Sequence, residues 1–192
     1  MSLAPVLEPF RPLLLSWRSS GEIFTLTLAE PDESPRLLRA SPAKSGFYVN
    51  ELLLRLLHRN DPCPGLFENY RQVLQGILSP EQEEPALRIF EKRLLAAIGY
   101  GLSLDRDADS SLPIVPEKNY RYRAGQGFVE HNSSDVYISG DSTIIVRGGT
   151  LIALDRETLR GSGQLREAKY LMRAVLRGYL GQKPLASRML YR

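Results

Sequence analysis

Eight basic residues and a single acid fill the stretch from Arg160 to Arg192. They are Arg160, Arg166, Lys169, Arg173, Arg177, Lys183, Arg188 and Arg192, against Glu167. This stretch carries +7 while the whole chain carries +3, which leaves −4 on the first 159 residues. Guanidinium and ammonium groups hold anionic oxygens. A slightly acidic body with a strongly basic end therefore points to a polyanionic partner: nucleic acid, an acidic peptide or a membrane surface. The charge is also ordered. At roughly 100° per helical residue, Arg166, Lys169, Arg173 and Arg177 fall within an arc of about 80°. Leu165, Ala168, Met172, Val175 and Tyr179 form an adjacent apolar stripe. The pattern predicts a docked helix with one edge turned into a cationic rail.

Other chemistry is sparse. Asp105, Asp107 and Asp109 match positions 1, 3 and 5 of a calcium loop, but Ser110 stands where glycine belongs and Pro116 where the closing glutamate belongs. A solvated polar loop is the better reading. His58 and His131 lie far apart with no carboxylate or cysteine at ligand spacing, and read as a helix-end and a loop residue. Gly125-Gln126-Gly127 lacks the third glycine and the following helix of a phosphate cradle, so it reads as a turn. Cys63 sits between two prolines with no neighbouring base, and no serine-nucleophile motif occurs. The chain reads as non-catalytic, with no metal and no cofactor.

Binding features are better represented. Arg88 and Lys92 stand one turn apart beside the apolar line Leu87, Phe90 and Leu94. One reading is a solvated face on which Glu84 and Arg88 pair, worth only ~0.2–0.5 kcal/mol. The other is a basic rim around an apolar pocket, built from Leu87, Arg88, Lys92 and Leu94 and suited to an acidic peptide with an apolar end. From the residues alone the solvated pair takes precedence. Tyr120-Arg121-Tyr122-Arg123 alternates aromatic and basic residues as a base-stacking strand would, although such a strand more often buries its tyrosines and solvates its arginines.

These residues need elements to hold them. Val6–Trp17 and Glu22–Leu28, joined by Arg18-Ser19-Ser20-Gly21, predict a hairpin at the end of a larger sheet. Ser45–His58 is apolar on most faces and predicts a buried helix. A second helix is expected from about Pro64, and a third from a Ser79 cap with Pro80 in its first turn to about Ile98. The stretch from about 102 to 150 predicts an inserted antiparallel sheet, with strands at 120–123, 128–129, 136–138 and 144–146. The basic helix runs Leu165–Leu180 and closes at Gly181, with a final turn or short helix at Pro184–Tyr191. The fold class is thus mainly α with small β elements. One cysteine excludes an internal disulfide framework, and no segment approaches the ~20 apolar residues of a membrane span. With no export signal, a cytoplasmic protein is expected.

In this order the pieces resemble the RecO recombination-mediator family of bacterial DNA repair. Leu7-Glu-Pro-Phe-Arg-Pro-Leu-Leu-Leu15 is similar to the late strands of that family's N-terminal OB-fold, and Ser45-Gly-Phe-Tyr-Val-Asn-Glu-Leu-Leu53 to its first long helix. Pro85-Ala-Leu-Arg-Ile-Phe-Glu91, with Leu94-Leu95 and Gly99-Tyr-Gly101, resembles the next signature helix. Tyr120-Arg-Tyr122 and Gly127-Phe128 resemble the short strands that follow. Leu165-Arg-Glu-Ala-Lys169, Tyr179-Leu-Gly-Gln-Lys-Pro-Leu185 and Ser187-Arg188 resemble its end, the most specific of the set.

The resemblance implies residues 1–35 as the last strands of an OB-type barrel and 36–192 as a helical domain with the β insertion. It also implies a bacterial, nucleoid-associated mediator that binds single- and double-stranded DNA and anneals complementary strands. Such a protein takes the acidic C-terminal tail of single-stranded DNA-binding protein and works with RecR to load RecA recombinase. DNA contacts would fall to Arg166, Lys169, Arg173, Arg177, Lys183 and Arg188, and the tail to Leu87, Arg88, Lys92 and Leu94. The early barrel strands have no counterpart here, and Met1-Ser2-Leu3 reads as an added leader. DNA binding weaker than that of a longer member is therefore expected. Some members carry a four-cysteine zinc module where this chain has Asp105–Val146, and with Cys63 alone no zinc is expected. The alternative is a non-catalytic helical adaptor for an acidic protein.

Overall fold

The structure is a computed structural model that describes residues 7–21, 23–32, 40–132, 144–181 and 183–187. The strand expected at 136–138 lies outside the described residues, as does Arg188. Strands β1 (Leu13–Ser20) and β2 (Ile23–Pro31) form an antiparallel hairpin, turned at Gly21 and bulged between Ser16 and Trp17. Helices α1 (Ala40–Leu56), α2 (Leu66–Gly76) and α3 (Pro80–Ala97) follow. Next come β3 (Asn119–Arg123), β4 (Gly127–His131) and β5 (Ile144–Arg147), an antiparallel sheet of order β4-β3-β5. The described chain ends with α4 (Gly148–Asp155), α5 (Gly161–Leu180) and a short turn at 186–187. Helices with small antiparallel sheets are thus present as expected.

One core joins α1, α3, α5 and the sheet. Val49 and Leu52 of α1, Phe90, Leu94 and Leu95 of α3, and Leu171 and Met172 of α5 are each no more than 1% exposed. Tyr120 and Phe128 bring β3 and β4 into the same core, and the Tyr120 hydroxyl accepts a hydrogen bond from the Val115 amide at 2.9 Å. Tyr120 is buried while Arg121, Tyr122 and Arg123 are all half-buried, so this strand buries one tyrosine fully and solvates neither arginine completely.

Four expectations need correcting. Helix α1 is not buried on all faces, because Phe47 and Leu54 face solvent, Leu54 at 84% exposure. Ser79 stands before α3 but makes no side-chain cap, and its carbonyl alone takes the Gln82 and Glu83 amides. Helix α4 was not foreseen within the strand-rich stretch. Its sequence, Gly-Gly-Thr-Leu-Ile-Ala-Leu-Asp, is short and apolar all round, so it carries no helical period. His131 is the last residue of β4 and not a loop residue.

The aspartate loop is solvated as expected at Asp105, Asp109 and Ser110, but Asp107 at its centre is a buried anchor. Asp107, 6% exposed, accepts hydrogen bonds from the Asp109 and Ser110 amides at 3.0 and 2.7 Å, the Ser110 hydroxyl at 2.8 Å and the Glu130 amide at 2.6 Å. Asp105 and Asp109 pair with Arg106 and Arg123. Burial alone would push the Asp107 carboxyl up, but these four donors outweigh it and hold the group below the usual aspartate range.

The sheet passes into α4 without a linker. The Gly148 amide donates to the Lys118 carbonyl at 2.8 Å, and the Gly149 amide to the Pro116 carbonyl at 2.9 Å. A Cβ at Gly148 would meet the Val115 carbonyl oxygen at 2.0 Å and its carbon at 2.8 Å, both backbone atoms. Gly148→Ala is therefore expected to cost about 2–3 kcal/mol, read as a lowered urea midpoint. Asp107→Asn places an amide where donors converge and should cost about 1–3 kcal/mol. Because the folded chain holds Asp107 below its ordinary range, the unfolded chain takes up the proton first as pH falls. The stabilisation is full at neutral pH and is lost progressively below about pH 4. Thermal melts of wild type and Asp107→Asn should thus differ at pH 7 and draw closer as pH falls below about 4.

Candidate nucleic-acid interface

Helix α5 turns its apolar side inward. Ala168, Leu171, Met172, Val175 and Leu176 are no more than 2% exposed, and the helix packs on α3, α4, β5 and α1. The predicted stripe is present, but Leu165 is half-buried and Tyr179 is 38% exposed beyond the end of the core. Leu171 and Leu176 widen the buried face past the stripe read from the sequence.

The opposite side carries the rail. Arg166, Arg173 and Arg177 are exposed and have no salt-bridge partner among the described residues. Lys169 leaves the rail, because its ammonium contacts the Glu84 carboxylate of α3 across the helix pair. Lys183 is exposed just past the helix end. Glu167, the one acid of the stretch, is turned away to the start of α4. It accepts from the Thr150 hydroxyl at 2.6 Å and the Arg147 amide at 3.2 Å. The rail is therefore not neutralised along its own helix.

The end of α5 is fastened to α1. The Arg55 guanidinium donates to the Leu180 carbonyl, and to the Pro184 carbonyl at 3.4 Å. Glu51 accepts the Ala186 and Ser187 amides, each at 2.8 Å, while Leu185 is 3% exposed. Burial raises the Glu51 carboxyl, but the Ser187 and Ala186 donors and the Arg55 charge prevail and hold it low. An arginine thus satisfies the open carbonyl end of one helix from another.

The residues read as a peptide pocket are dispersed. Leu87 is 5% and Leu94 0% exposed, both within the core, so neither lines an open surface. Arg88 is no rim residue. Its side chain is 4% exposed and pairs at 3.0 Å with Glu91, itself 0% exposed and bonded at 2.6 Å by the Tyr48 hydroxyl. Burial pushes the Glu91 carboxyl up, against the pull of Arg88 and Tyr48. The expected Glu84–Arg88 pair is not formed. Arg88 turns three residues forward to Glu91, while Glu84 reaches Lys169. Lys92 donates to the Asp155 carbonyl at 2.8 Å and lies 2.9 Å from the Glu157 carboxylate.

An open cleft of about 370 Å³ lies on the neighbouring face of α3. Val73, Ala86, Ile89 and Phe90 form its apolar wall, and Gln72 and Arg93 its polar edge. Arg93 donates to Glu157 at 2.9 Å, to Asn69 at 3.1 Å and to Gln72 at 2.5 Å. The bonds from Arg93 hold the Glu157 carboxyl below its usual range. Arg93 escaped the sequence reading because its partner Glu157 is 64 residues away. Among the described residues no helix is long and apolar enough to cross a membrane.

Residues 45–189 match the family model described as Recombination protein O C terminal. Over 97% of this chain and 72% of its own length, DNA repair protein RecO of Alkalilimnicola ehrlichii is 47% identical. The protein of the same name from Methylococcus capsulatus is 43% identical over 98% of the chain and 75% of its own length. That of Coxiella burnetii is 39% identical over 96% and 77%. A match spanning the helices, the sheet and the fastened end of α5 shows that the chain belongs to the RecO family.

Proposed function

We propose that this chain serves DNA repair as a recombination mediator, and that it holds DNA on the outer face of α5. The observation that carries this is the trio Arg166, Arg173 and Arg177, which form no salt bridge among the described residues and stand on a helix whose other side is fixed in the core. Unpaired arginines on a rigid helix are pre-positioned for phosphate oxygens and spend nothing on breaking internal ion pairs. Lys183 extends the line, and Arg188 belongs to the same proposal although it lies outside the described residues. Lys169 contributes only if its contact with Glu84 opens. The names of the relatives support the repair role. Annealing, cooperation with RecR and loading of RecA are parts of the same proposal, supported by the family resemblance.

The tail of single-stranded DNA-binding protein is acidic with an apolar end. The cleft beside α3 favours it over the buried Leu87 and Leu94, because an apolar wall there meets the cationic edge of Arg93. Glu157, which pairs with Arg93, would be displaced by the incoming carboxylates. We also propose that the hairpin belongs to a larger barrel-type sheet, divided from the helical domain near residue 35. Leu14, Trp17, Ile23 and Phe24 are each at least 58% exposed, so neither side of the hairpin is covered as an independent sheet requires.

If Arg166, Arg173, Arg177 and Lys183 neutralise four phosphates of a single strand, log K should fall against log salt with a slope near −3. Arg173→Ala with Arg177→Ala should roughly halve that slope, measured by fluorescence anisotropy of a labelled oligonucleotide. Absence of binding at low salt would remove the DNA role and leave the adaptor for an acidic protein. An acidic peptide with an apolar last residue should bind the cleft, and Arg93→Ala should weaken it about tenfold without changing DNA affinity. Equal binding of a peptide lacking that last residue would sink the cleft assignment.

A further inference from the structure

The rail has one aromatic residue in it. Tyr170 follows Arg166 by four residues and precedes Arg173 by three. At roughly 100° per residue its side chain leaves α5 within about 60° of Arg166, Arg173 and Arg177. The spacing along the axis is uneven. Arg166 and Arg173 are separated by about 10 Å and Arg173 and Arg177 by about 6 Å, so Tyr170 stands in the wider gap. It is 39% exposed, and among the described residues its ring has no aromatic or cationic partner and its hydroxyl no hydrogen bond. The other exposed tyrosines differ, since Tyr100 and Tyr179 stack on each other with centroids 4.4 Å apart. Tyr170 thus offers an exposed ring among three cations that form no salt bridge among the described residues.

Arginine contacts to phosphate set position but read neither sequence nor strandedness. A ring between them adds what phosphates cannot. In a duplex each base is already stacked on its neighbours, whereas a single strand can lay a base on an aromatic side chain at little cost. We propose that Tyr170 is a stacking platform for one nucleobase of a single strand whose phosphates lie on Arg166, Arg173 and Arg177. This makes the α5 face prefer single-stranded over duplex DNA. The proposal rests on the assignment of the rail to DNA.

The test compares wild type, Tyr170→Leu and Tyr170→Phe, each checked for an unchanged thermal melt, on oligothymidine and on a duplex of equal length across a salt series. Tyr170→Leu should lose about fivefold or more of its single-strand affinity with the salt slope unchanged, and keep its duplex affinity within about twofold. Tyr170→Phe, which retains the ring, should bind like wild type. Wild-type single-strand affinity in Tyr170→Leu, or equal loss on both DNAs, overturns the platform while leaving the rail in place. If wild type binds neither DNA at low salt, the rail and the platform fall together.

Discussion

Everything on the basic face depends on how α5 is seated. A helix presents a fixed side to solvent only if its other side is committed, and here the commitment is the burial of Ala168, Leu171, Met172, Val175 and Leu176. Apolar burial of this kind is worth roughly 1.5–3 kcal/mol for each large side chain, far more than any single exposed charge contributes. The helix therefore cannot roll to relieve repulsion among Arg166, Arg173 and Arg177. Fastening Leu180 and Pro184 to Arg55, and residues 186–187 to Glu51, removes the remaining freedom at its C-terminal end. A strongly basic sequence becomes a surface of fixed geometry because its neighbours in the core leave no alternative.

The same seating places charges where they would otherwise be avoided. Arg88 and Glu91 are buried in the core, and Arg88 Nε and Nη1 and Glu91 Oε2 lack hydrogen-bond partners among the described residues. A buried pair of this sort adds little net stability, since desolvation opposes its attraction. It does restrict the packing: a register shift of α3 against α1 would separate Glu91 from the Tyr48 hydroxyl and strand a charge in the core. The pair thus specifies which way α3 faces α1. Lys169 and Glu84 continue the same logic outward, tying α5 to α3 at the half-exposed edge of the interface.

How much of this was legible in the sequence depended on the range of each interaction. The apolar period of α5, the break at Gly181 and the greasy run of α1 are local signals, and each marked its element, although α1 starts five residues before the expected Ser45. Gly99 ended α3 as expected, adopting φ 84° so that the Tyr100 amide reaches the Leu95 carbonyl at 2.8 Å. Arg88 was misplaced because an i, i+4 rule sees only its own helix. Its partner Glu91 is held by the Tyr48 hydroxyl of α1, 40 positions from Arg88 along the chain, and feels the charge of Arg173 on α5, 85 positions away. Arg93 and Glu157 were invisible for the same reason. In the aspartate loop the spacing did not show that the central carboxylate, Asp107, is buried and taken up by local donors and by the Glu130 amide 23 residues away.

The segment Lys183–Ser187, one of the most recognisable stretches of the sequence, now has a division of labour within it. Leu185 is buried, and the amides of Ala186 and Ser187 are held by Glu51, so these positions secure the end of α5. Lys183 alone among them projects a charge to solvent beside the rail. A recognisable motif at the edge of a basic surface therefore does not have to be a contact motif throughout. Its apolar and backbone groups fix the geometry, and the cations on either side are displayed because that geometry is fixed. The α5 face then works as one unit, in which the spacing of Arg166, Tyr170, Arg173 and Arg177 is set by the helix and their outward direction by residues that never meet the ligand.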